Sequence, residues 1–188
     1  MLLELILLAI GLQRDAVCTC TDSPGPSFTS SASEIIRGKY RNVFFGFSVK
    51  VPKGIEARSD PPPTPDRGFG ILLPSGTYIS FLAQGEHGPI AELENERVAN
   101  LKTRTAHVRS LDYRTSLLGR TKAQQLTAVY DCGSSETEYM EEFRLVFDEE
   151  RHTLYEARIV ARKGEFAHDK RIYEEIAKTW GRTPLLDK

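Results

Sequence analysis

Apolar and polar residues alternate from Phe45 to Val51, where Phe45, Phe47, Val49 and Val51 are separated by Gly46, Ser48 and Lys50. Successive side chains of a strand point to opposite faces, so this period of two predicts a half-buried strand, ended by Pro52 and Gly54. The runs FGILLP and TYISFLA, parted by Ser75 and Gly76, predict a hairpin with a tight turn. Four more strands are expected in HVRSLDYRTSLLG, RTKAQQLTAVYD, TEYMEEFRLVFD and TLYEARIVARK. The first two join at Gly119 and the last two at the polar turn EERH, which gives an antiparallel meander. Within the third, Tyr139, Phe143, Leu145 and Phe147 share one face; Glu142 and Arg144 lie on the other, which is expected to be partly covered or solvated.

In two segments the period changes to that of a helix. Behind Pro89, which suits a first helical position, Ile90, Leu93, Val98 and Leu101 fall on one side, with Glu92, Glu96 and Lys102 toward water. After Gly164, EFAHDKRIYEEIAKTW places Phe166, Tyr173, Ile176, Ala177 and Trp180 on one stripe, able to cap a sheet. Phe45, Phe47, Phe143, Leu145, Phe147, Tyr173, Ile176 and Trp180 are expected in one core. This order of elements predicts an α+β fold, an antiparallel sheet flanked by helices, and argues against alternating βαβ units.

The remaining segments set the organisation. MLLELILLAIGL is too short to cross a bilayer as a helix, which takes about 20 residues, but it suits the core of a signal peptide. Ala9 and Gly11 would place cleavage before Leu12. No Lys or Arg precedes the run and Glu4 interrupts it, so a cytoplasmic chain is the alternative to a secreted or periplasmic one. We read residues 1–18 as a leader, 19–39 as a flexible linker rich in Ser, Thr, Pro and Gly, and 40–182 as a single domain. PPPTP at 61–65 is expected to be a stiff surface loop or a ligand for an aromatic groove.

Of the 188 residues 40% are hydrophobic and 27% charged, a composition that supports a packed core without disulfides or metal. With 25 basic against 26 acidic side chains, no overall field draws the chain to nucleic acid. Cys18 and Cys20 are too close in sequence for an unstrained bridge to each other, so a disulfide would join one of them to Cys132; Cys20–Cys132 is the candidate pair, and three unpaired thiols are the other reading.

The opening YRNVFFGFSVKVPKG, with Tyr40, Phe45, Gly46, Phe47, Pro52 and Gly54, resembles the first strand of the PsbP-like fold. That fold is shared by an extrinsic oxygen-evolving protein of photosystem II, a Ran-binding import factor and bacterial exported proteins. LLGRTKAQQLTAVYD, with Gly119 and Ala123, and a closing helix ending IAKTW extend the resemblance over roughly residues 40 to 180. It implies an antiparallel sheet sandwiched by helices. It also implies binding or assembly in place of catalysis, because the family has no shared catalytic residues to carry over.

Candidate chemistry is sparse. His87, His107, His152 and His168 stand at no metal-ligand spacing, so solvated histidines are expected and no metal or other cofactor. No GxSxG elbow occurs, Gly133-Ser134-Ser135 reads as a polar turn, and GRTK at 119–122 reads as a strand connection and not as a phosphate loop. Arg97, Lys102, Arg104, Arg109 and Arg114 are dispersed between helix and strand. Glu136, Glu138, Glu141, Glu142, Asp148, Glu149 and Glu150 read as charges of an exposed strand and hairpin tip, or alternatively as the carboxylates of a hydrolase. The sequence is thus read as a monomeric, non-enzymatic exported domain that binds an unknown protein or small ligand, with no catalytic residues, no nucleic acid and no stable membrane span. A hydrolase built on the 136–150 hairpin is the alternative.

Overall fold

A computed structural model describes residues 34–59, 67–85, 88–104, 107–131 and 137–185. In chain order the elements are β1 (Ile35–Ile36), β2 (Lys39–Asn42), β3 (Phe47–Lys50), β4 (Ala57–Ser59), β5 (Gly68–Leu72), β6 (Tyr78–Gly85), α1 (Ile90–Arg104), β7 (His107–Leu118), β8 (Thr121–Asp131), β9 (Glu138–Asp148), β10 (Thr153–Arg162), α2 (Lys163–Ala177) and β11 (Gly181–Arg182). Eight strands form one antiparallel sheet in the order β1-β4-β5-β6-β10-β9-β8-β7, and β11-β3-β2 form a second.

The hairpin, the meander and α1 stand where periodicity predicts them, and α2 occupies the expected segment but starts at Lys163, before Gly164, and ends at Ala177, short of Trp180. The first strands differ. The eight-stranded sheet takes Ile35 and Ile36 from the stretch read as linker, and residues 43–46 form a turn, so the strand expected from Phe45 starts at Phe47. A clustered aromatic pair cannot by itself distinguish a strand from the turn that feeds it. PPPTP and the cysteines lie outside the described residues.

The connection from β6 to β7 organises everything else. β6 sits beside β10 inside the sheet while β7 is its far edge, so α1 carries the chain across one face before the meander returns. On that face Leu93 and Val98 pack with Leu126, Phe143, Leu145 and Leu154, and Leu101 packs with Ala128, Tyr130 and Tyr139. The opposite face is covered by α2 and the small sheet, which bury Tyr40, Phe47, Phe69, Phe81, Tyr155, Tyr173 and Trp180 together. The single core expected from sequence is therefore two. Phe143 and Leu145 lie under α1, whereas Phe47, Tyr173, Ile176 and Trp180 lie on the other side of the sheet.

α2 ends before Trp180, whose ring meets Tyr155 edge-on at 5.3 Å. The β7–β8 turn rests on this end of the helix. Gly119 donates its N–H to the Ala177 carbonyl (2.9 Å), and at φ 60° its missing Cβ leaves room for the Trp180 carbonyl, which any side chain would strike.

Candidate functional site

The turn joining β9 to β10 meets the start of α1 around an open pocket of about 740 Å³, lined by Gly88, Pro89, Ile90, Phe147, Glu149 and His152. Pro89 stands immediately before the first helical residue, and its carbonyl accepts the Glu92 N–H at 2.9 Å. On the other side, His152 has φ 47°, a left-handed conformation uncommon outside glycine, and it closes the turn so that Asp148 and Thr153 stay in register. The walls from Pro89, Ile90 and Phe147 are apolar, with Glu149 and His152 as the titratable members. Apolar walls with a few polar groups are the composition of a ligand pocket. The sequence pattern places His152 in a turn and Phe147 in the core. Nothing in local periodicity shows that a crossover helix will begin beside that turn.

A second recess, of about 520 Å³, runs from Arg37 and Gly38 to Val51–Glu56. Its charged members are Arg37, Lys53 and Glu56.

The acidic strand is not exposed. Glu141 and Glu142 are fully buried, one on each face of β9. Toward α2, Arg144 donates to Glu142 through Nε (3.0 Å) and Nη2 (2.9 Å), to the Leu117 carbonyl (3.0 Å), and with both terminal nitrogens to Glu174. Lys170 Nζ reaches the second Glu142 oxygen at 2.5 Å, and the Arg144 guanidinium lies 5.0 Å over the Tyr173 ring. Burial opposes the charge on Arg144, but the carboxylates of Glu174 and Glu142 outweigh it and hold the guanidinium above its ordinary pKa. Toward α1, Glu141 pairs with Arg158, which lies 5.5 Å over Phe143, and Arg97 of the helix pairs with Glu156 at 2.7 Å. Asp148, 3% exposed, meets Arg182 at 3.0 Å. Only Glu138, paired with Lys163 on the surface, and the turn residues Glu149 and Glu150 keep the exposed character expected for the group. Glu136 lies outside the described residues.

Why the sequence hid this is physical. Alternating charges on a strand look alike whether water or a charged helix covers them, and the partners Lys170 and Glu174 come from 28 and 30 residues away.

The other sequence-level candidates stay apart. His107 and His168 are exposed, each contacting an aspartate, Asp131 at 3.1 Å and Asp169 at 2.9 Å. Among the described residues no three His, Cys, Asp or Glu side chains gather as metal ligands, and His87 and Ser134 lie outside them. Arg109 binds Asp131, Arg114 approaches Glu142 at 3.9 Å, and Lys102 is exposed; the side chain of Arg104 lies outside the description. No helix among the described residues is long and apolar enough to cross a membrane.

Asp169 is held by three side chains. Ser75 and Thr77, on the β5–β6 turn, donate to one oxygen at 2.6 and 2.5 Å while His168 meets the other. Burial pushes this carboxyl up, but the three hydrogen bonds prevail and hold its pKa below the ordinary aspartate value. A depressed folded pKa means that the stabilisation is fully present above about pH 3.9 and is lost as pH falls through the lower folded value. Asp169→Asn is therefore expected to cost about 1 to 3 kcal/mol at pH 7. In urea melts the deficit should shrink once the pH falls well below 3.9, and a deficit of constant size would separate Asp169 from the acid response.

No protein-family model matches the sequence, and no curated protein sequence matches it. Solved structures do. The chain is similar to LpqN, a Mycobacterium tuberculosis protein involved in cell envelope biogenesis, at 14% identity and a TM-score of 0.50, covering 86% of this chain and 100% of that one. It is also similar to the cyanobacterial PsbP of Synechocystis (11%, TM-score 0.47, 84% and 96%). A protein of Bacteroides thetaiotaomicron matches at 15% and a TM-score of 0.43, over 81% of this chain and 51% of that one. At these identities the likeness is one of architecture. The likeness to LpqN is one of fold alone, and the chain itself has the α+β arrangement expected from sequence, an antiparallel sheet with a helix on one face and a helix beside a small sheet on the other.

Proposed function

We propose that the chain is a non-enzymatic exported domain that binds a partner protein or a small ligand in the pocket between the start of α1 and the β9–β10 turn. The observation that carries this reading is the fate of the acidic strand. A general acid or nucleophile must reach its substrate, yet the buried carboxylates Glu141, Glu142 and Asp148 are each held by an arginine. Among the described residues that line the open pocket Glu149 is the carboxylate, and its neighbours there are apolar residues and His152. Glu149 among apolar walls suits orientation of a ligand, and no second carboxylate among the described lining residues pairs with it as the hydrolase reading requires. In this reading the apolar segment within residues 1–18 acts as a leader, the domain works in a secreted or periplasmic compartment, and Cys20 pairs there with Cys132.

Ile90→Glu puts a charge in the pocket wall, on a half-buried residue at the margin of the core under α1, and should lower the melting temperature modestly while leaving the fold intact. Quantitative mass spectrometry of what wild type and Ile90→Glu retain from the native host is expected to show one species depleted at least tenfold in the variant. Equal retention would move the binding site elsewhere. Hydrolysis of model esters or glycosides by wild type, abolished in Glu149→Gln, would overturn the non-enzymatic reading. Intact mass of the native protein should show a shortened N-terminus and two thiols fewer than three.

A further inference from the structure

The eight-stranded sheet has two edges of unlike kind. One is closed by β1, two residues long, while the other is β7, twelve residues whose outer side pairs with no strand among the described residues. A strand edge offers a row of unpaired N–H and C=O groups, and long exposed edges are ready templates for another strand. β7 is exposed on both faces, with Tyr113 52% and Leu117 57% exposed on the α1 side and Asp112 and Arg114 exposed on the other. The bulge beside Arg109 interrupts only its first turn of pairing, so the stretch from Ser110 to Leu118 runs unbroken against β8.

The charges along this edge select the partner. Two copies of one strand that pair antiparallel about a two-fold axis must match residues whose numbers add to a constant, and that sum must be even for outward-facing backbone groups to meet. With Tyr113 on the axis, Asp112 of each copy lies directly opposite Arg114 of the other, two opposite-charge pairs on one face. Moving the axis to residue 112 opposes two aspartates, and moving it to residue 114 opposes two arginines, arrangements that like-charge repulsion disfavours. Asp112 has no ion-pair partner among the described residues, and Arg114 has only the 3.9 Å approach to Glu142. In the same register Leu111 opposes Thr115, and Tyr113 covers its own symmetry mate on the α1 side.

We infer that β7 is a self-complementary edge through which two copies of the chain form a two-fold dimer, joining their sheets with Tyr113 on the axis and Asp112 paired to Arg114 of the second copy. This departs from the monomer expected from sequence and is independent of the pocket. Directly opposed residues of antiparallel strands have Cα atoms about 4.5 to 5.5 Å apart, within the span of a disulfide. Tyr113→Cys is therefore expected to form a covalent dimer on mild oxidation, with position 113 linked to itself in peptide mapping.

Sedimentation of the unmodified full chain should show a dimer, dissociating at least tenfold more readily in Asp112→Arg and in Arg114→Asp and restored in the double exchange. Sedimentation as a monomer at every concentration would overturn the inference, as would a dimer indifferent to both single changes. A monomer whose β7 amides are protected from exchange would show another segment of the chain filling the edge, and would equally overturn it.

Discussion

Arg144→Ala is expected to destabilise the fold by about 3 to 5 kcal/mol, the usual cost of breaking a buried ion pair from one side. Arg144 is 6% exposed and Glu142 is wholly buried, so neither can turn to water when its partner disappears. Lys170 would remain on one oxygen of Glu142, but the other oxygen and the Leu117 carbonyl would each lose a donor. The cavity left over the Tyr173 ring adds to the loss. Chemical denaturation at neutral pH measures it. Lys170→Met tests the arrangement from its more exposed side and should cost less, because Arg144 still neutralises Glu142. Equal and small effects of both changes would mean that the network is solvated in solution.

Trp180→Ala should be of similar size, about 3 to 5 kcal/mol, through lost transfer energy and the cavity behind it. The indole is 5% exposed, meets Tyr155 edge-on and belongs to the core that α2 and the small sheet share. Its position beyond the helix matters here. The residue after it, Gly181, begins the strand that pairs with β3, and its own carbonyl packs against Gly119, so the side chain anchors the junction of helix, small sheet and β7–β8 turn. Thermal melts that leave Trp180→Ala within error of wild type would contradict this placement of the C-terminal segment.

These two residues also mark how far the sequence could be read. Trp180 was legible because its spacing from Phe166, Tyr173 and Ile176 repeats one helical stripe, and a stripe of large apolar residues has nowhere to go but a core. Arg144 and Glu142 were not. A strand's period of two assigns faces but not what covers them, and burial of an ion pair depends on long-range partners that α2 brings to the sheet. The same limit split the expected single core, since residues on either side of a sheet share a hydrophobic pattern while packing against different layers. The pocket lay further beyond reach: its two walls come from residues 88–90 and 147–152, made neighbours only by the crossover of α1 from β6 to β7.

Ile90 lines the pocket from the α1 side. A photoreactive amino acid placed at position 90 and activated in the native host should cross-link to one dominant species. The same group at Lys122, on the exposed surface of β8 far along the sheet, should give only diffuse background. One dominant species from position 90 alone is the predicted result, and equal, diffuse cross-linking from both positions would contradict a binding role for the pocket.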